Sequence, residues 1–239
     1  GMDALWHFER ARRDHERISA EPVLRLERPA QRQALAGLQA DLTEYQAKQV
    51  LADYGIPVTS EALATTAEQA VSPLPDGATL VHGLAVAEPP ALLEAIARRA
   101  REGDLKGLKV YSFFPMVHAL KTVLALELCD VVQAYTWFVN GSDRSLVRVG
   151  LNYFVPNYFH QLPRFCREFM NIDLTVTTVS PMDRAGYFSF GTSNDFISTA
   201  ARCGRRLVVE VNDHMPRVFG ESLLHISEVD AVVENSVPL

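Results

Sequence analysis

Between residues 78 and 234 the chain alternates short apolar runs with segments of helical spacing. Residues 78–82, 108–114, 131–139, 152–155, 173–179, 207–211 and 231–234 are predicted strands, rich in Val, Leu, Tyr and Thr. Residues 89–101, 158–169 and 194–203 are predicted helices. In 158–169 the positions Tyr158, Leu162, Phe165 and Phe169 repeat at helical spacing and are expected in the core. Strands that read as continuous apolar runs are buried on both faces. The expected fold is therefore α/β, a mostly parallel sheet with helices on both faces and right-handed crossovers. Ligands of such sheets bind beyond the carboxyl ends of the strands, so the loops there are where chemistry is expected.

The character of the chain changes near Ser72. Residues 3–39 are rich in Arg and Glu with helical spacing, broken by Pro22 and Pro29. The stretch "LTEYQAKQVLADYGIPV" (42–58) predicts a helix with Thr43 as N-cap, Tyr45, Val50 and Leu51 on one face, and Gly55 closing it before Pro57. The expected organisation is a helical amino-terminal extension over 1–71 and an α/β domain over 72–239. The 42–58 stretch resembles the opening of the ATP-grasp domain of acyl-CoA ligases. It carries no identifiable nucleotide-binding lysine or metal carboxylates, so ATP chemistry is not expected, and a ligase fragment is the last-ranked reading.

Composition narrows the function classes. Of 239 residues, 48% are hydrophobic and 22% charged, the balance of an ordinary globular chain. A net charge of −6 argues against nucleic-acid binding, which leaves a basic footprint. No apolar run is long enough to span a membrane, and the start shows no charged segment leading into an apolar one. A cytoplasmic location is expected. Cys129, Cys166 and Cys203 form no C-x-x-C pair, so neither a metal site nor a disulfide framework is expected, and all three are expected to be buried.

Four loops carry candidate chemistry. In "LVHGLAVAEPPALLEAI", Gly83 turns the chain out of a strand and Pro89-Pro90 open a helix. Its N-terminus would suit a phosphate or carboxylate, but a plain βα turn is the favoured reading of these residues, and His82 reads as a satisfied strand-end histidine. In "VGLNYFVPNYFHQLPRFCREF", Asn152, Asn157, His160 and Gln161 sit among aromatics beside a strand end; taken one by one they read as ordinary structural residues, although their concentration suits a substrate pocket better than a surface turn. "SPMDRAGYFSFGTSNDF" (180–196) stops a β-branched strand, turns over 183–186 and returns through a short extended "YFSFG". Thr192, Ser193 or Asn194 then caps the next helix. In "VVEVNDHMPRVFGESLLHISEVD", Arg217 suits a carboxylate or phosphate clamp because its fork binds such groups bidentately; a structural salt bridge accounts for it equally.

Jointly, "HGLAVAEPPALL", "VSPMDRAGYFSFGTSND" and "VEVNDHMPRVFGESLLHISEVDAVVE" resemble the amino-terminal half of the acetyl-CoA hydrolase/transferase family, which includes 4-hydroxybutyrate CoA-transferases. The resemblance covers residues 67–239. It implies a CoA-transferase-like α/β fold in which two similar halves face each other across the active site, with the "SPMD" turn and the "MPR" loop at that interface. The substrate-binding positions it carries over are Gly83, Glu88, Pro89, Gly191, Ser193, Asn212, Met215, Pro216 and Arg217. It implies coenzyme A as acyl-CoA substrate, a small carboxylate acceptor and no metal. The family's nucleophile is a glutamate in the carboxyl-terminal half, beyond Leu239. Glu88 and Glu210 lie outside that motif, and no catalytic residue is assigned here. The expected function is a CoA-transferase or acyl-CoA hydrolase component. Its second half would come from a partner chain or a longer product, and the chain is expected to self-associate or bind a partner. The alternative is a non-catalytic acyl-CoA or carboxylate-binding module.

Overall fold

The computed structural model describes residues 66–239. The helices expected before Thr66, including the 42–58 stretch, lie outside the described residues. Seven strands form one parallel sheet: β1 (Thr79–His82), β2 (Leu108–Ser112), β3 (Val132–Thr136), β4 (Asn152–Phe154), β5 (Leu174–Val179), β7 (Leu207–Val211) and β9 (Ala231–Glu234). Their order is β4-β3-β2-β1-β5-β7-β9. A separate antiparallel ribbon pairs β6 (Tyr187–Ser189) with β8 (Leu223–His225).

Side-chain alternation along the strands separates two apolar layers. Leu80, Val110, Val176 and Val208 face one layer together with Leu92, Leu93 and Ile96 of α2 (Pro90–Arg101). Short α1 (Ala67–Val71) joins this layer through Ala67, Ala70 and Val71, although the boundary expected from sequence fell after residue 71. Val81, Val179 and Val209 face the other, with Leu162 and Cys166 of α5 (Leu162–Glu168) and Ile197, Ala200 and Ala201 of α6 (Ile197–Cys203). All six residues of β5 are buried, as a central parallel strand requires. Each fully buried aliphatic side chain contributes roughly 1.5–3 kcal/mol.

Several element ends differ from the sequence expectation. The strand predicted to 114 stops at Ser112, and Phe113 and Phe114 enter a loop in which Phe114 takes φ 56°. The strand predicted to 139 stops at Thr136, whose hydroxyl donates to the Phe138 carbonyl at 2.9 Å and turns the chain. The helix predicted from 158 begins as a 3₁₀ turn and becomes α-helical at Leu162, with Pro163 in its first turn. Of the four positions expected in the core, Leu162 is buried and Phe165 packs half-buried against the same layer, whereas Tyr158 and Phe169 are 72% and 66% exposed; Cys166 completes the buried stripe. The helix predicted from 194 starts at Ile197. Its N-cap position is Phe196 and none of Thr192, Ser193 or Asn194 caps it; the first N–H, of Ile197, is accepted by Asp195 Oδ1 at 2.9 Å from the residue before the N-cap. Of the three cysteines only Cys166 is buried; Cys129 and Cys203 are exposed. Short α3 (Val117–Lys121), α4 (Arg144–Arg148) and β8 went unpredicted.

Candidate functional site

Strand order reverses at β1: β2, β3 and β4 continue to one side, and β5, β7 and β9 to the other. A crevice outside the carboxyl ends of β1 and β5 follows from this topology. The loops after β1, β5, β6 and β7 converge there. The 3₁₀ turn Ala85–Ala87 after β1 touches the turn Gly191–Ser193 that follows β6. Gly83 is required by proximity, since a Cβ there would run into the Ala87 carbonyl and approach Thr177 Oγ1 to 2.7 Å.

Both buried glutamates near the crevice hold helix N-termini. Glu88, 2% exposed, accepts the N–H groups of Met116 at 2.6 Å, His118 at 3.2 Å and Ala119 at 3.1 Å at the start of α3. Its backbone carbonyl also accepts the Thr178 hydroxyl at 2.9 Å. Glu210, on β7, accepts the Leu92 N–H at 3.1 Å in the first turn of α2 and the Asn235 amide at 2.6 Å. Burial pushes its carboxyl above the ordinary range, and those bonds pull partly back. The α2 N-terminus, which the sequence offered as a place for phosphate or carboxylate, is therefore filled by the protein's own carboxylate. Pro89 precedes this helix and Pro90 opens it, as expected. His82 is buried with Nδ1 2.8 Å from the Gly83 carbonyl, but its Nε2 has no hydrogen-bond partner, so the expected satisfaction is only half met.

The loop after β7 folds on the loop after β5. Asn212 is buried; its Oδ1 accepts the His214 N–H at 2.8 Å and its Nδ2 donates to the Val237 carbonyl at 2.8 Å. This fixes the turn that delivers Met215. Gly191 takes φ 63°, and a Cβ on it would overlap the Met215 thioether and reach 3.0 Å from the Pro216 carbonyl. Ser193 is buried beside it. Arg217 pairs with Asp183, and its Nη1 donates to the Tyr187 carbonyl at 3.0 Å. Of the two readings open for Arg217, the structure shows the salt bridge. A groove of about 480 Å³ beside this assembly is lined by Met182, Phe188, Val211 and Ile226, with Asp213 and Glu234.

The nine positions carried over lie in the loops after β1, β6 and β7; Gly83, Glu88, Pro89, Gly191, Ser193, Asn212 and Met215 are buried within them, and none of the nine lines the groove. Sequence reasoning missed the aromatic surface next to the crevice. Phe113 stacks on Phe138 at 5.3 Å and meets Phe159 at 4.7 Å, and Phe114, Phe138 and Phe159 are exposed. "SFFP" at the end of an apolar run was the available signal, because a proline directly after the paired aromatics cannot continue a central strand. Asn157, His160 and Gln161 of the second loop belong to the turn leading into α5 and are exposed or half-exposed; Asn152 is buried, its amide donating to Asp143 at 3.4 Å. Among the described residues no three His, Cys, Asp or Glu side chains group as a metal site, and no helix is long and apolar enough to cross a membrane.

Residues 60–238 match the family model described as the acetyl-CoA hydrolase/transferase N-terminal domain. The chain belongs to this family. It is 33% identical over 171 residues to the succinyl-CoA:cyclohexane-1-carboxylate CoA transferase of Geobacter metallireducens, covering 72% of this chain and 38% of that protein. It is 33% identical over 175 residues to the 4-hydroxybutyrate coenzyme A transferase of Clostridium kluyveri, covering 73% and 40%. The crystal structure of RipA from Yersinia pestis superimposes with a TM-score of 0.71 at 48% identity, over 73% of this chain and 42% of RipA. The chain therefore spans about two fifths of the length of these relatives. The fold is that of the CoA-transferase structures.

Proposed function

We propose that this chain is the amino-terminal half of a CoA-transferase that moves CoA between an acyl-CoA and a small carboxylate of the acetate or 4-hydroxybutyrate class. A carboxyl-terminal half, from a partner chain or a longer product, supplies the glutamate nucleophile. The observation that carries the reading is the state of Glu88 and Glu210: each buried carboxylate at the crevice is held by helix N–H groups, which lowers its availability as a nucleophile. The aromatic surface beside them suits an acyl group and a covering half. In the full reaction a glutamate carboxylate attacks the thioester carbonyl, expelling CoA thiolate and leaving an acyl-glutamyl anhydride. The thiolate then attacks the glutamyl carbonyl, releasing the first carboxylate and leaving a glutamyl-CoA thioester for the acceptor. Backbone N–H groups of the crevice loops would stabilise the tetrahedral oxyanions, and the aromatics would exclude water.

The test is acyl transfer followed by mass spectrometry. The full chain is mixed with acetyl-, succinyl- and butyryl-CoA and carboxylate acceptors, with and without a carboxyl-terminal half. Transfer only with that half is expected. Transfer by the chain alone would locate a nucleophile within these residues and overturn the reading. CoA binding without turnover in every mixture would favour the non-catalytic binding module.

A further inference from the structure

We propose that Arg217 is a positioning residue, which with Asp183 locks the loop after β5 and the loop after β7 into one preformed body, and that it is not a clamp for the carboxylate substrate. The Asp183 carboxylate is fully engaged. Its Oδ1 accepts the N–H groups of Ala185 and Tyr187, each at 2.9 Å, and its Oδ2 pairs with Arg217 Nη2. Those backbone bonds, led by Tyr187 and joined by the guanidinium, hold the carboxyl below its ordinary range.

The guanidinium is held from three sides. Nη2 meets Asp183, Nη1 meets the Tyr187 carbonyl at 3.0 Å, and the Phe219 ring centroid lies 5.9 Å from the guanidinium carbon. A substrate carboxylate would compete with one already anchored to the backbone of the same turn. That anchored group acts at the high effective concentration of an intramolecular partner.

Two further ties join β6 and the turn after it to the loop after β7. The Ser189 hydroxyl donates to the Val218 carbonyl at 2.8 Å and accepts the N–H groups of Val218 at 3.0 Å and Gly191 at 3.1 Å. Met215 fills the space that a side chain at Gly191 would need. Arg217 therefore closes an assembly whose other members fix Gly191 against Met215 and the loop after β7. The value of such an arrangement for the reaction is that no reorganisation is needed when charge develops on the substrate.

The structural part stands apart from the transferase reading; only the kinetic arm of the test rests on it. Hydrogen–deuterium exchange of the full chain is measured over residues 180–193 and 212–222, with β7 as internal reference. The variants are Arg217→Met, Arg217→Lys and Asp183→Asn. Loss of a charge-assisted bond of this kind should speed exchange of the 180–193 amides by roughly tenfold in Arg217→Met and in Asp183→Asn. Arg217→Lys, which keeps charge but not the fork, should fall between. Added succinate should protect the wild type and Arg217→Met equally.

Unchanged loop exchange in both Arg217→Met and Asp183→Asn would overturn the proposal. So would succinate protection that is present in the wild type and lost in Arg217→Met. Should Arg217→Met loosen β7 as well, the two milder variants decide by the same comparison. With a carboxyl-terminal half present, a positioning role lowers kcat at unchanged KM for the carboxylate, whereas a clamp raises KM. Absence of transfer in every variant would sink the transferase reading and leave the exchange result intact.

Discussion

The Glu210 carboxylate on β7 accepts the N–H of Leu92, 118 residues earlier in the chain, and so joins the sheet to the first turn of α2. Because Glu210 is fully buried, its folded-state carboxyl holds a proton more tightly than the unfolded chain does. Its contribution to stability is therefore complete below the ordinary carboxylate range and is lost as pH rises through the raised value. Glu210→Gln keeps an acceptor for Leu92 and removes the titration. This variant should show less decline in stability than wild type as pH rises above the ordinary carboxylate range, read from urea midpoints. Glu210→Ala should lose roughly 1–3 kcal/mol by leaving the helix N–H unpaired. Equal pH slopes in wild type and Glu210→Gln would refute the assignment.

Asp195 carries the same sign with a defined window. Burial pushes its carboxyl from 3.8 to about 6, and only the Ile197 N–H opposes that rise. The stability it gives is full below pH 4 and is lost as pH rises to about 6. At most about 3 kcal/mol is involved. Asp195→Asn should flatten this segment of the stability profile, and thermal melts at half-unit pH steps would reveal it. A profile unchanged by the substitution would mean that the carboxyl titrates normally.

How far the sequence revealed these features depended on range. The strand cores at 174–179, 207–211 and 231–234 were legible because β-branched and aliphatic residues run without interruption there. The ends of β2 and β3 were not, since Phe113, Phe114, Trp137 and Phe138 continue the apolar pattern after the backbone has turned away. Tyr158 and Phe169 misled for the converse reason: helical spacing places residues on a stripe but does not say that anything covers it. The loops were recognisable as motifs, yet the partners of Arg217 and Glu210 lie 34 and 118 residues away, and no local pattern announces a pairing at that distance.

Gly191 and Met215 illustrate a pairing that can be separated into its parts. Gly191→Ala incurs a left-handed backbone penalty of roughly 1–2 kcal/mol and an overpacking cost of roughly 1–3 kcal/mol against the Met215 thioether. Removing Met215 as well relieves only the second. The double variant Gly191→Ala/Met215→Ala should therefore be more stable than the sum of the single losses predicts, by about 1 kcal/mol or more in a double-mutant cycle. Strict additivity would show that the two side chains do not compete for space.

The exposed aromatic surface leads to the last prediction, which concerns association. Phe114, Met116, Val117, Phe138 and Phe159 are each at least 40% exposed and lie beyond the carboxyl ends of β2, β3 and β4, Val117 as the first residue of α3. A non-glycine residue is held left-handed at Phe114, a backbone cost of roughly 1–3 kcal/mol that keeps an apolar ring facing outward. Such a surface favours burial against a second body, and the family relationship nominates a carboxyl-terminal half. Val117→Ser removes a half-exposed side chain and should move the melting temperature little, whereas Phe159→Ser also gives up the ring contact with Phe113 at 4.7 Å and should lower it modestly. If the two side chains lie at the centre of an interface, each should weaken binding of that half by about tenfold or more. Sedimentation velocity over a concentration series, with and without a carboxyl-terminal half, measures this directly. A wild type that stays monomeric at high concentration and ignores the added half would leave the surface without a partner and count against the split-enzyme reading. Binding that both substitutions leave untouched would move the contact to another face.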